Sequence, residues 1–136
     1  MKLTRASSYA LHAVTFMATQ KHDHPIASHH IAEARDIPER FLLKVLKPLV
    51  SARVLHSVKG PNGGYRLART ANSITLLEVL EAVDGPIRGQ SPFGGSKGNG
   101  SNLDHRLEGI CKQMADQNRR LLQKVKVTDL IGGKRK

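Results

Sequence analysis

The chain has 136 residues, enough for one domain with a real core and an appendage. It carries 22 Lys+Arg against 11 Asp+Glu, a formal net charge of +11, and only 4% aromatic residues. A single cysteine, Cys111, excludes an intrachain disulfide and a Cys-only metal site within one chain. No 18-residue apolar run exists and no secretory h-region follows Met1, so a soluble, cytoplasmic protein without a membrane partner is expected.

Residues 2 to about 20 set Leu3, Ala6, Ala10, Ala13, Val14 and Met17 at a helical period. The stretch from His22 to Pro25 ends that helix. His22, His24, His29 and His30 stand at i,i+2 or adjacent spacing, with Asp23 and Pro25 between, which suits a turn better than a helical ligand pair. No metal site is expected there. Ser28 is the predicted N-cap of a short helix to about Ala34. Asp36-Ile37-Pro38 follows, with Pro38 suited to the first turn of the next helix. That helix shows an apolar stripe at Phe41, Leu42, Val45, Leu46 and Leu49, predicted to face a core. Its opposite side presents Arg40, Lys44 and Lys47, and Pro48 is predicted to kink or restart it. Two short helices joined at Asp36, the second basic on its outer face, make a helix-turn-helix.

Two β-compatible runs, residues 54–55 and 65–67, then flank Lys59-Gly60-Pro61-Asn62-Gly63-Gly64. Pro61 presets φ near about −65°, and Asn62, Gly63 and Gly64 tolerate φ > 0, so the chain can reverse tightly. Lys59 and Arg66 place a positive charge on each arm. Alone this is an ordinary surface hairpin; after a basic helix-turn-helix it reads as a wing. Residues 75–83 form a short amphipathic helix ended by Asp84-Gly85-Pro86. Residues 88–102, rich in Gly and Ser without periodicity, read as a flexible loop. Leu103, Leu107, Ile110, Met114 and Leu121 then recur at three-to-four-residue spacing in a helix over 103–124, with Gln117 interrupting the stripe. Its apolar face needs a cover, and a second copy of the chain is favoured over helix 1 of the same chain. Residues 132–136 read as a basic tail.

Charge is clustered along this order. Residues 35–69 hold eight basic and two acidic side chains, a net of +6, and residues 112–136 repeat that count. Such clustering points to a polyanionic partner. No HExxH, GxSxG or GxxxxGK[ST] motif is present, and no carboxylate pair sits where its pKa would be tuned, so an enzyme is not expected. The expected architecture is mainly α with a small β-wing. A winged helix-turn-helix occupies 1–87, the loop 88–102, a dimerisation helix 103–124, and a C-terminal segment with the basic tail 125–136.

With these parts in order, the chain resembles the Rrf2 family of bacterial winged-helix regulators (IscR-, NsrR- and CymR-like). The carrying residues are Leu3-Thr4, Tyr9-Ala10, Ile31-Ala32-Glu33, Ile37-Pro38 and Phe41-Leu42. They continue with Gly60-Pro61-Asn62-Gly63-Gly64-Tyr65-Arg66-Leu67-Ala68-Arg69, Ile74-Thr75, Glu78-Val79, Val83-Asp84-Gly85-Pro86 and Val127-Thr128-Asp129-Leu130. The match is close over 1–87 and looser over 103–131. It implies a homodimeric, sequence-specific regulator of double-stranded DNA, a repressor, with the second helix-turn-helix helix in the major groove and the wing in the minor groove. It places Arg40, Leu43 and Lys44 at base-reading positions and Lys59 at the minor-groove position. By their chemistry, Arg40 or Lys44 suits guanine O6 and N7, and Leu43 suits a thymine methyl. Lys47, Arg53, Arg66 and Arg69 suit phosphates.

Two departures from the family pattern stand out. Cluster-binding members carry three cysteines after the Asp-Gly-Pro end; residues 86–105 here have none, and His105 falls near the third position. The expectation is a branch without an iron–sulfur cluster or other cofactor, with Cys111 a small core residue of the dimer helix. Asp36 and Arg53 stand where relatives often have turn glycines, and Arg tolerates left-handed backbone poorly, so the approach to the wing is expected to differ slightly. Two other functions fit the composition: a non-specific nucleic-acid-binding accessory protein using its basic surfaces, and a regulator gated by a protein docking on the 88–102 loop. No small-molecule effector is legible.

Overall fold

A computed structural model describes residues 1–92 and 102–132. Helix α1 spans Arg5–Ala18, shorter than the stretch suggested by periodicity. Thr4 caps it, its side-chain oxygen accepting from the Ser7 N–H at 3.0 Å, which leaves Leu3 outside the helix and exposed. Ala10, Ala13, Val14 and Met17 bury one face.

Helix α2, Ser28–Arg35, and helix α3, Glu39–Ser51, follow around a tight turn at Asp36, whose φ of 54° is left-handed. Ser28 is not the N-cap expected of it. Ala27 holds that position without a side-chain bond, and the Ser28 hydroxyl instead donates to Glu39 Oε2 at 2.7 Å, tying α2 to α3. Pro38 lies just before α3 as its N-cap, its carbonyl accepting from Phe41 and Leu42. The helix then runs through Pro48 to Ser51 without restarting. Leu42, Val45, Leu46 and Leu49 are buried against α1 and α2. Each such side chain removed from water contributes about 1.5–3 kcal/mol.

Strands β1, Leu55–Val58, and β2, Gly64–Leu67, pair antiparallel, with Leu55 opposite Leu67 and Val58 opposite Gly64. A third partner, invisible in the sequence, completes this small sheet. Ile26 exchanges two backbone bonds with Tyr65, each 2.8 Å. Helix α4, Leu76–Asp84, opens on a capping box between Thr75 and Glu78 and stops at Gly85, φ 83°. Asp84 accepts from Thr4 Oγ1 at 3.0 Å and from the Ser7 hydroxyl, joining the end of α4 to the start of α1.

Helix α5, Asn102–Lys124, packs on α4, an arrangement that includes an Arg119–Glu81 ion pair. The chain then returns to the domain. Leu76 N–H donates to Val125 O at 2.8 Å, Val127 N–H to Ile74 O at 2.9 Å, and Val127 is fully buried. Residues 88–92 have no regular structure, but they are tied to α5: Ser91 N–H donates to Glu108 at 2.7 Å, and the Gly89 backbone lies against the Cys111 carbonyl. Residues 93–101 of the expected loop, and 133–136 of the expected tail, lie outside the described residues. No described helix is long and apolar enough to cross a membrane.

Candidate nucleic-acid interface

The division of α3 into two faces defines the site. Its apolar stripe is consumed by the core, which turns Arg40, Leu43, Lys44 and Lys47 outward, all four exposed. Phe41, expected in that stripe, is 36% exposed. Leu42, Val45, Leu46 and Leu49 already complete the i, i+3, i+4, i+7 pattern, so Phe41 is pushed to its edge. There its ring sits 4.9 Å from the Arg40 guanidinium and 5.8 Å from Lys44 Nζ. Cation–π attraction at such distances steadies both side chains. Phe41 is thus a positioning residue that the periodicity misassigned.

The wing is held directly off the end of α3. Arg53 takes φ 64°, its N–H donating to Val50 O, while Val54 N–H donates to Leu49 O, both at 3.0 Å. The left-handed turn is therefore made by Arg despite its unfavourable Cβ. At the tip, Gly63 N–H donates to Gly60 O at 2.9 Å, closing a turn over Pro61 and Asn62. The positive φ values fall at Gly60 and Gly64, not at Asn62 or Gly63 as expected. Lys59, Gly60, Pro61, Asn62 and Arg66 are exposed, whereas Gly63, Gly64 and Tyr65 are half-buried. Gly64 passes so close to Ile26 that a Cβ would meet its carbonyl oxygen at 2.3 Å, and Tyr65 packs on the core. Those two residues anchor the wing, leaving its tip and Arg66 exposed.

Neither the Arg69–Glu78 nor the Arg119–Glu81 ion pair involves Arg40, Lys44, Lys47, Lys59 or Arg66. Arg69 is different. It donates to Ser73 O at 3.0 Å and to Glu78 Oε2 at 2.6 Å, so it braces the start of α4. Burial raises the Glu78 carboxyl, but the Thr75 N–H and the Arg69 guanidinium outweigh it and hold Glu78 below its ordinary 4.5.

On α5, Leu103, Leu107, Ile110, Met114 and Leu121 are all exposed, while Ala115 is buried on the side facing α4. Cys111 lies half-buried between these faces.

Comparison with known proteins decides the family. The family described as Rrf2, iron-dependent transcriptional regulator, matches residues 3–133. The chain belongs to the Rrf2 family. Over 133 residues, 98% of the chain and 83% of the relative, this Rrf2 protein is 28% identical to Rv1287 of Mycobacterium tuberculosis, named for an HTH-type transcriptional regulator. It is 37% identical over 84 residues to the HTH-type transcriptional regulator IscR of Vibrio campbellii, spanning 62% of this chain and half of that one. CymR, the global cysteine regulator of B. subtilis, shares the fold: TM-score 0.73 at 22% identity, over 96% of this chain and 95% of that one. The Rrf2 chain is a transcriptional regulator and not an enzyme.

The iron in the family description finds no donor set here. The sequence holds one thiol, and no three His, Cys, Asp or Glu side chains converge among the described residues. Residues 93–101 and 133–136 contain none of these residue types. An iron–sulfur cluster held by thiolates of this chain does not fit.

Proposed function

We propose that this Rrf2 regulator is a homodimeric, sequence-specific repressor that reads double-stranded DNA with α3 in the major groove and the wing tip in the adjacent minor groove. The observation that carries the reading is a helix and a wing, joined end to end, that both expose cations. Arg40, Lys44 and Lys47 stand exposed on the outer face of α3, and the wing with Lys59 and Arg66 rises from the end of that same helix. Arg40 and Lys44 supply donors for guanine edges, and Leu43 between them supplies an apolar contact for a thymine methyl. Lys47 and Arg66 supply sequence-independent phosphate contacts.

The outer face of α5 supports the dimer. Five large apolar side chains at helical spacing face away from α4 and are exposed, a stripe a second copy would cover. Genomic fragments retained by the purified protein should share a palindromic site, and binding should weaken steeply with salt. Arg40→Ala should lose sequence preference, by about 1–3 kcal/mol at one base position. Equal binding of all duplexes by the unmutated protein would refute sequence-specific regulation and favour a non-specific accessory role.

A further inference from the structure

The turn between α1 and α2 carries His22 and His24, and the first turn of α2 carries His29 and His30. His22, His24, His29 and His30 line one open groove of about 710 Å³ together with Asn62 and Gly63 of the wing. The placement is fixed by the paired backbone bonds between Ile26 and Tyr65, which lock this turn against β2. His22 and His24 rings lie 4.8 Å apart, and His29 and His30 rings 5.0 Å apart. None of the described residues lining this groove is acidic. An adjoining groove of about 420 Å³ shares His22 and His24 and adds Arg66, Arg69 and Asp23.

We infer that this histidine groove is a second contact surface for the phosphate backbone of the DNA that the wing engages, and that it makes DNA binding tighten as pH falls. The inference rests on the DNA-binding reading above. A phosphate chain flanking a wing inserted in a minor groove must pass the side of the wing, and this groove lies beside Asn62 and Gly63. The chemistry suits a phosphate in either charge state of the rings. His22 Nδ1 accepts the His24 N–H at 3.1 Å, so the proton of neutral His22 sits on Nε2 as a donor. His29 Nε2 and His30 Nδ1 lie 3.3 Å apart, close enough to share one proton. Imidazoles change charge between about pH 5 and 8, so each ring charged on a phosphate adds one released counterion.

The charged groups around the groove are few. Asp23 opposes the effect and Arg66 reinforces it from β2, while Arg69, just beyond β2, is paired with Glu78. Glu39 is engaged by the Ser28 hydroxyl at the start of α2. His56 stands opposite Arg66 across the wing, so it needs its own control.

The test is fluorescence anisotropy with the full chain and a selected duplex of about three helical turns, beside a scrambled duplex of equal length. Salt titrations are run near about pH 8 and about pH 5.5. The expected result is a log K against log salt slope steeper by about one to two at the lower pH, on both duplexes, with affinity up about tenfold at fixed salt. His22→Gln with His24→Gln, and His29→Gln with His30→Gln, should each remove part of that difference. The quadruple variant should remove all of it while binding at the higher pH stays within about threefold of the unmutated protein. His56→Gln should keep the difference. A slope independent of pH in the unmutated protein, or a pH effect surviving in the quadruple variant, overturns the inference alone. Failure to bind either duplex at both pH values overturns the DNA-binding reading and the inference with it.

Discussion

Arg53 occupies a backbone state that L-residues with a Cβ avoid, at a cost of about 1–2 kcal/mol. It is exposed, its own N–H donates to Val50 O, and no ion pair holds its side chain among the described residues. Arg53→Gly should therefore stabilise the fold by about 0.5–1 kcal/mol in urea denaturation, the relief being offset by glycine's larger unfolded-state entropy. The same variant should reduce the salt slope of DNA binding by about one if the guanidinium meets a phosphate. Glu78 gives the converse case of a residue tuned by its neighbours. Its carboxyl is lowered from 4.5 when folded, so its ionised form contributes stability above that value. That contribution is lost as pH falls from about 4.5 through the lowered folded value. Melts of Glu78→Gln should thus lie below the unmutated protein at neutral pH, and the gap should close in acid. A gap independent of pH would mean that Glu78 acts by packing alone.

At the scale of elements, the wing shows how a local sequence signal acquires a fixed position. Gly-Pro-Asn-Gly-Gly made the reversal legible, and Tyr65 to Leu67 made the strand legible. What aims the hairpin is the Ile26–Tyr65 pairing, which no periodicity could reveal because only Ile26 and Ala27 separate Pro25 from α2. Gly64 is the contact point of that pairing. Gly64→Ala would drive a Cβ to 2.3 Å from the Ile26 carbonyl at a φ of 152°. The expected loss is about 1–3 kcal/mol, with DNA affinity falling more than stability because the wing is displaced. Unchanged affinity in a folded Gly64→Ala protein would show that wing placement is not set there. The same limit explains Phe41, Ser28 and Asp84. A helical stripe tells which side chains can be buried, but tertiary neighbours choose among them. Thus Phe41 became a platform for cations, Ser28 a bridge to Glu39, and Asp84 an acceptor for Thr4 and Ser7. The Thr75–Glu78 capping box is legible as Thr-x-x-Glu at the head of an apolar stripe.

For the whole molecule, α5 connects the DNA-reading face to oligomeric state. The helix is anchored at both ends of its inner side, by Ser91 to Glu108 near its start and by Val125 to Leu76 after its end. Its outer side is left apolar, with Ile110 half-exposed near the middle of a helix about 35 Å long. Because Ala115 and Arg119 face α4 and Ile110 does not contribute to the buried core, Ile110→Lys should leave α1–α4 folded. In a dimer it would bury an ammonium group without a partner, costing several kcal/mol. Sedimentation should then show a monomer where the unmutated chain is a dimer. Affinity for a palindromic site should fall by about 100-fold or more, because each half-site must be bound separately and the second is no longer at high effective concentration. Binding to a single half-site should change little. A variant that remains dimeric with full affinity would place the dimer contact elsewhere on the molecule. A variant that becomes monomeric yet binds the palindrome as before would show that one chain suffices to read the operator.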